Sequence, residues 1–152
     1  MMSSKEKKYN RLYDQLKELV VKSNNYYARL ATIQAVLHHK IQYYFWTGSY
    51  FLIDDELTVQ SYQGPVACQI LKKDNGVCWA AINSKETLVV DNVEEFPGHI
   101  ACNSASKSEI VVPLRNKKGD IIGCFDVDSK EFNSFDKEDA RGLEKILDLL
   151  YI

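Results

Sequence analysis

The chain has 152 residues, a formal net charge of −2 and 45% hydrophobic residues, which suits one domain spanning 1–152 around a packed core. The balanced charge excludes the basic footprint of a nucleic-acid binder, and no apolar run approaches the roughly 20 residues of a membrane-spanning helix. The polar start Met1-Met2-Ser3-Ser4-Lys5 lacks the apolar segment of a secretory signal, so a cytoplasmic protein is expected.

In chain order, residues 5–22 read as an amphipathic helix, with Leu12, Leu16, Leu19 and Val20 at spacings of three and four. Ser23-Asn24-Asn25 breaks it, and a second helix is predicted from about Asn25 to His38, capped by Ser23 or Asn24. The aromatic run Gln42 to Ile53 reads as a strand. Asp54-Asp55-Glu56 turns the chain, and Leu57 to Gln63 reads as the hairpin partner, ended by Gly64-Pro65. A short strand near Ile70-Leu71, a short helix over Gly76–Asn83 and a β-type run at Thr87–Val90 follow.

Asp91 to Lys107 has no clear period and carries Pro97, Gly98, His99 and Cys102 among small residues. A loop of this length inside a compact domain is often functional. Ser108–Leu114 and Asp120–Asp128 are strong strands joined by a turn at Asn116–Gly119. Asp136 caps a last amphipathic helix, about 136–150. Strands over about 42–129, with helices at about 5–38 and 136–150, argue an α+β fold with an antiparallel sheet and helices on one face.

The four cysteines are Cys68, Cys78, Cys102 and Cys124. In a reducing compartment such residues are seldom structural disulfides; they are buried, metal-bound or reactive. No CxxC pair exists, His38 and His39 are adjacent and His99 stands alone, so no metal site and no cofactor are expected. Cys102 is the candidate nucleophile, because small neighbours leave room for a ligand and because loop amides or His99 can help form its thiolate. The alternative is a plain buried cysteine. Cys68 and Cys78 can resolve an oxidised partner or fill core space, and Cys124, between Gly123 and Phe125, reads as core.

Asp126 and Asp128 alternate with Val127 and so share one sheet face, with Glu109 opening the neighbouring strand. These carboxylates either bind an amino group and hold a proton, or mark a solvent-facing strand end. Trp46 and Tyr50, four apart on one strand, either wall a small pocket or belong to the core.

The string FPGHIACNSASKSEIVVPL, residues 96–114, resembles the signature of the free methionine-(R)-sulfoxide reductases, stand-alone enzymes of GAF fold. YQGPVAC (62–68), GVC (76–78), HIAC (99–102) and DVDS (126–129) look like family motifs in the family's order, and the cysteines at 68, 78 and 102 match its spacing. The likeness covers roughly Tyr43 to Leu147. It implies reduction of free methionine (R)-sulfoxide by Cys102, with Cys68 and Cys78 as the other redox cysteines and thioredoxin as the reductant. It also implies a substrate pocket lined by Trp46, Tyr50, Glu109, Asp126 and Asp128. Cys78 is followed by Trp79 where the family more often has glycine. Cys68 is therefore expected to resolve Cys102, with Cys78 as the alternative.

Two other functions compete. A non-catalytic GAF module binding a small ligand would need no spaced cysteines, and such modules usually sit beside an effector domain. A cysteine redox sensor would keep the cysteines but not an acid-lined pocket. The terminal helices leave a homodimer open.

Overall fold

The computed structural model describes residues 1–99 and 102–151. Its elements are α1 (Ser4–Val20), α2 (Tyr26–Lys40), β1 (Trp46–Ile53), β2 (Glu56–Gln63), β3 (Ile70–Leu71), α3 (Gly76–Ser84), β4 (Leu88–Val90), β5 (Ser108–Arg115), β6 (Ile121–Ser129) and α4 (Lys137–Leu147). Single 3-10 turns cover Val93–Glu95 and Asp148–Tyr151.

The strands form one six-stranded sheet in the order β3-β2-β1-β6-β5-β4, with antiparallel neighbours throughout. Side chains alternate across a strand, so the sheet has two chemically different faces. On one face Phe51, Ile110, Val112, Leu114, Phe125 and Val127 pack in a single core with Leu16, Leu30, Ile33, Leu143 and Ile146 from α1, α2 and α4. On the other, Trp46, Tyr50, Val111 and Cys124 pack with Val77, Cys78, Ala81 and Ile82 of α3. The terminal helices thus share one face, as the α+β reading expects, and α3 covers part of the opposite one.

The helix face contains a buried acid that sequence reading passed over. Asp139 is fully buried. It accepts hydrogen bonds from the hydroxyls of Tyr9 and Tyr43, from Lys5 Nζ at 2.6 Å and from the Asp136 amide at 2.8 Å. The last bond is half of a capping box, in which Asp136 accepts in turn from the Glu138 and Asp139 amides. One carboxylate therefore starts α4 and ties it to α1.

Most element ends lie within two residues of the sequence reading, and three features depart from it in an instructive way. The strand predicted from Gln42 begins at Trp46, because residues 42–45 carry the chain from α2 back onto the sheet. Tyr44 there packs in the helix-side core, its hydroxyl bonded to that of Tyr9. The cap of α2 is Asn25, which accepts from the Ala28 amide, while Ser23 accepts from the Asn25 amide instead. The last helix leaves α geometry after Leu147 and ends as a 3-10 turn.

Candidate active site

The face under α3 is built by register. Glu109 lies directly across from Asp128, and Asp128 is flanked on its other side by Trp46. Asp126 lies between Val111 and Gly48, and Tyr50 is opposite Cys124. Strand alternation therefore gathers Trp46, Tyr50, Glu109, Asp126 and Asp128 on one side of three adjacent strands. All of them line a cavity of about 70 Å³, together with Cys78, Cys102, Val66, Ala67 and Leu71.

The aromatic wall also holds the segment that carries Cys68. Trp46 stacks on Tyr50 at 5.9 Å between ring centroids and on Tyr62 at 5.2 Å. Trp46 Nε1 donates to the Pro65 carbonyl at 3.0 Å, and the Tyr50 hydroxyl donates to the Cys68 carbonyl at 3.4 Å. Buried Tyr and Trp usually place their polar ends on such partners. The ring of Trp46 lies flat because position 48 is glycine: a Cβ there would stand 2.5 Å from the Trp46 ring and 2.4 Å from Tyr62 Cβ. Trp46 and Tyr50 are thus both core and pocket wall, where sequence reading had set these roles as alternatives.

Cys68 is joined to Cys102 by a disulfide, with 5.6 Å between their Cα atoms. Cys102 is exposed and Cys68 half-buried, so the nucleophile candidate is not the plain buried cysteine of the alternative reading. Ile100 and Ala101, the middle of the HIAC motif, lie outside the described residues. Around them, Gly98 has φ of +73° and sits against Asn75 at the start of α3, a left-handed conformation that favours glycine. Asn103 accepts from the Ala105 amide at 2.8 Å, and the Lys107 amide donates to the Ser129 carbonyl at 2.7 Å. These bonds hold the C-terminal part of the loop.

Cys78, by contrast, is a free cysteine buried in α3, and Cys124 is a free cysteine buried in β6. The Cys124 thiol beside it and burial push the Cys78 thiol well above its usual range. It is therefore a poor thiolate.

The acids are taken out of water together. Glu109 and Asp126 are 6% and 5% exposed, and Asp128 is half-buried, so the solvent-facing strand end considered from sequence does not hold. Burial, then the charges of Asp126 and Asp128, push Glu109 well above the carboxylate range. Burial, then Asp126, does the same for Asp128. Burial raises Asp126 as well, but hydrogen bonding from Glu109 and Cys78 opposes it. The cluster can thus combine protonated acids with one carboxylate that ionises first. Burial also keeps His99 neutral by pulling it below its usual value, against the pull of Glu94.

Several cavity residues escaped the sequence reading: Phe45, Asn75, Asn103 and Ser106. Only Asn103 had a local signal, an Asn followed by small residues that suits an Asx turn. Among the described residues no helix is long and apolar enough to cross a membrane.

Comparison with known proteins agrees with this geometry. The GAF domain family model matches residues 31–151. The chain is 38% identical over 129 residues to the free methionine-R-sulfoxide reductase of Escherichia coli, covering 85% of this chain and 78% of that one. It is 47% identical over 148 residues to GAF domain-containing protein A of Dictyostelium discoideum, covering 97% and 92%. The X-ray structure of free methionine-R-sulfoxide reductase from Neisseria meningitidis in complex with its substrate superposes with a TM-score of 0.91 at 37% identity, covering 99% of this chain and 90% of that one. By the family match, the sequence identity and the superposition, the chain belongs to the GAF domain family and, within it, to the free methionine-R-sulfoxide reductases, which are oxidoreductases.

Proposed function

We propose that this enzyme reduces free L-methionine (R)-sulfoxide to L-methionine, with Cys102 as nucleophile, Cys68 as resolving cysteine and a thioredoxin-type dithiol of the cytoplasm as terminal reductant. The observation that carries the reading is that Cys102, disulfide-bonded to Cys68, lines one cavity with two buried acids, Glu109 and Asp126, and the half-buried Asp128.

A sulfoxide sulfur is a weak electrophile until its oxygen is protonated. Glu109, held protonated by burial and by its acidic neighbours, supplies that proton, with Asp128 beside it. The Cys102 thiolate attacks the sulfur, oxygen passes to Cys102 as a sulfenic acid, and methionine leaves with its thioether restored. The Cys68 thiol then condenses with the sulfenic acid, releasing water and forming the disulfide. A dithiol reduces that bond by exchange and is itself oxidised. No step needs a metal or cofactor.

Asp126, the first of the acids to ionise, pairs with the ammonium of the free amino acid. Trp46 and Tyr50 form the apolar wall for the methyl thioether end. A peptide-bound sulfoxide lacks the ammonium and brings a chain that a closed pocket excludes.

The test is turnover of both epimers of free methionine sulfoxide, and of the N-acetylated R epimer, with dithiothreitol and with thioredoxin. Reduction of the free R epimer alone is expected. Equal rates on free and acetylated substrate would remove the role of Asp126. Formation of the disulfide without methionine release would make the chain a redox sensor. Cys68→Ser is expected to release about one methionine per enzyme and then stall with thioredoxin. Cys78→Ser should keep most of its thioredoxin-dependent rate.

A further inference from the structure

The proposed reaction gives the Cys78 sulfur no task. Yet its sulfur and one oxygen each of Glu109 and Asp126 all lie within 4.8 Å of one another, and all three residues are buried. They come from α3, β5 and β6, so only the fold brings them together. A second feature lies on one of these three side chains: Asp126 Oδ1 is buried without a hydrogen-bond partner among the described residues. A buried oxygen left unsatisfied is costly.

We infer that Cys78, Glu109 and Asp126 form a binding site for a borderline-soft divalent cation, of which Zn²⁺ is the type, with its fourth position open to the cavity. One sulfur and two carboxylate oxygens suit zinc. Mg²⁺ and Ca²⁺ take all-oxygen sets of six or more ligands, for which the cluster has neither the number nor the donor type. Zinc ligands at about 2.0–2.3 Å in a tetrahedron stand roughly 3.5 Å apart, so the three side chains would close by at most about an ångström. Three protein ligands and one open position describe an exchangeable site rather than a closed structural one. On binding, the cation replaces the proton of the Cys78 thiol and those of any protonated ligand carboxyl, and these go to solvent. Because Glu109 and Asp126 also line the cavity, a bound cation would block it. Cation binding itself does not depend on which substrate the enzyme reduces.

The probe is Co²⁺ titrated into the oxidised protein, in which the Cys68–Cys102 disulfide removes two of the four thiols. The expected result is one Co²⁺ per chain with a thiolate-to-cobalt charge-transfer band, displaced by Zn²⁺. The band should vanish in Cys78→Ser and survive in Cys124→Ala. Asp126→Asn should weaken binding by more than the roughly 10–100-fold typical of losing an outer-shell partner. Circular dichroism checks that each variant is folded. Absence of the band overturns the inference, as does a band that persists in Cys78→Ser or disappears in Cys124→Ala. If Cys78→Ser does not fold, near-native Co²⁺ affinity in Asp126→Asn overturns it instead.

Discussion

Buried acids occur on both faces of the sheet and are treated in opposite ways. On the helix face Asp139 meets two tyrosine hydroxyls, a lysine ammonium and a backbone amide. On the cavity face Glu109, Asp126 and Asp128 meet mainly one another, and Asp126 Oδ1 has no partner among the described residues. The first arrangement neutralises a charge with complementary donors and joins two helices. The second leaves charge unsatisfied, so protons stay on the acids and become available for chemistry. Burial of a carboxylate therefore says little by itself. Its partners decide whether it holds the fold together or serves the site.

The largest expected effect tests the cavity face alone. Cys102→Ser should abolish methionine release even in a single turnover, measured by quantifying methionine after mixing enzyme with excess sulfoxide. Release from that variant would move the nucleophile elsewhere.

The next test sets the two faces against each other. Glu109→Gln should lower the rate by about 10²–10⁴-fold, the usual contribution of a positioned acid. It should nevertheless stabilise the fold at neutral pH. A carboxyl whose folded pKa is raised contributes stability that is complete below its unfolded value, about 4.3. That stability is lost as pH rises toward the folded value, at about 1.4 kcal/mol per pH unit crossed. Urea denaturation of both proteins from pH 5 to pH 8 should show the variant gaining on the wild type as pH increases. Asp139→Asn should do the reverse. The new amide would turn a donor toward Lys5 or the tyrosines, and breaking such a buried pair costs about 3–5 kcal/mol. Activity per folded molecule should stay near wild type. A stabilised Asp139→Asn would erase the contrast.

A smaller effect is expected in the pH–rate profile. Activity should fall on the alkaline side as Glu109 and Asp128 lose their protons, and Glu109→Gln should lose that limb or shift it. The smallest concerns the aromatic wall. Gly48→Ala forces the Trp46 ring or Tyr62 to shift, which should raise KM more than it lowers kcat. Steady-state kinetics separate the two.

Much of the fold was legible because it rests on local periodicity. The amphipathic spacing of Leu12, Leu16 and Val20, the aspartate turn after Ile53 and the alternation around Val127 each demand one local structure. Boundaries failed where tertiary packing overrode propensity: Tyr43 and Tyr44 look like strand residues, but they face the helices because Asp139 and Tyr9 bind their hydroxyls. The cysteine proposed as nucleophile was singled out by a local signal, a cysteine among small residues in a long loop. The sequence by itself determined the α+β order, the shared face of Asp126 and Asp128 and the cysteine set. Only the tertiary structure decided that the acids face a cavity rather than solvent, that Cys68 meets Cys102, and that Cys78 meets Glu109 and Asp126. The reason is physical: a strand's period states which residues share a face, but what covers that face is set by elements far away in the chain.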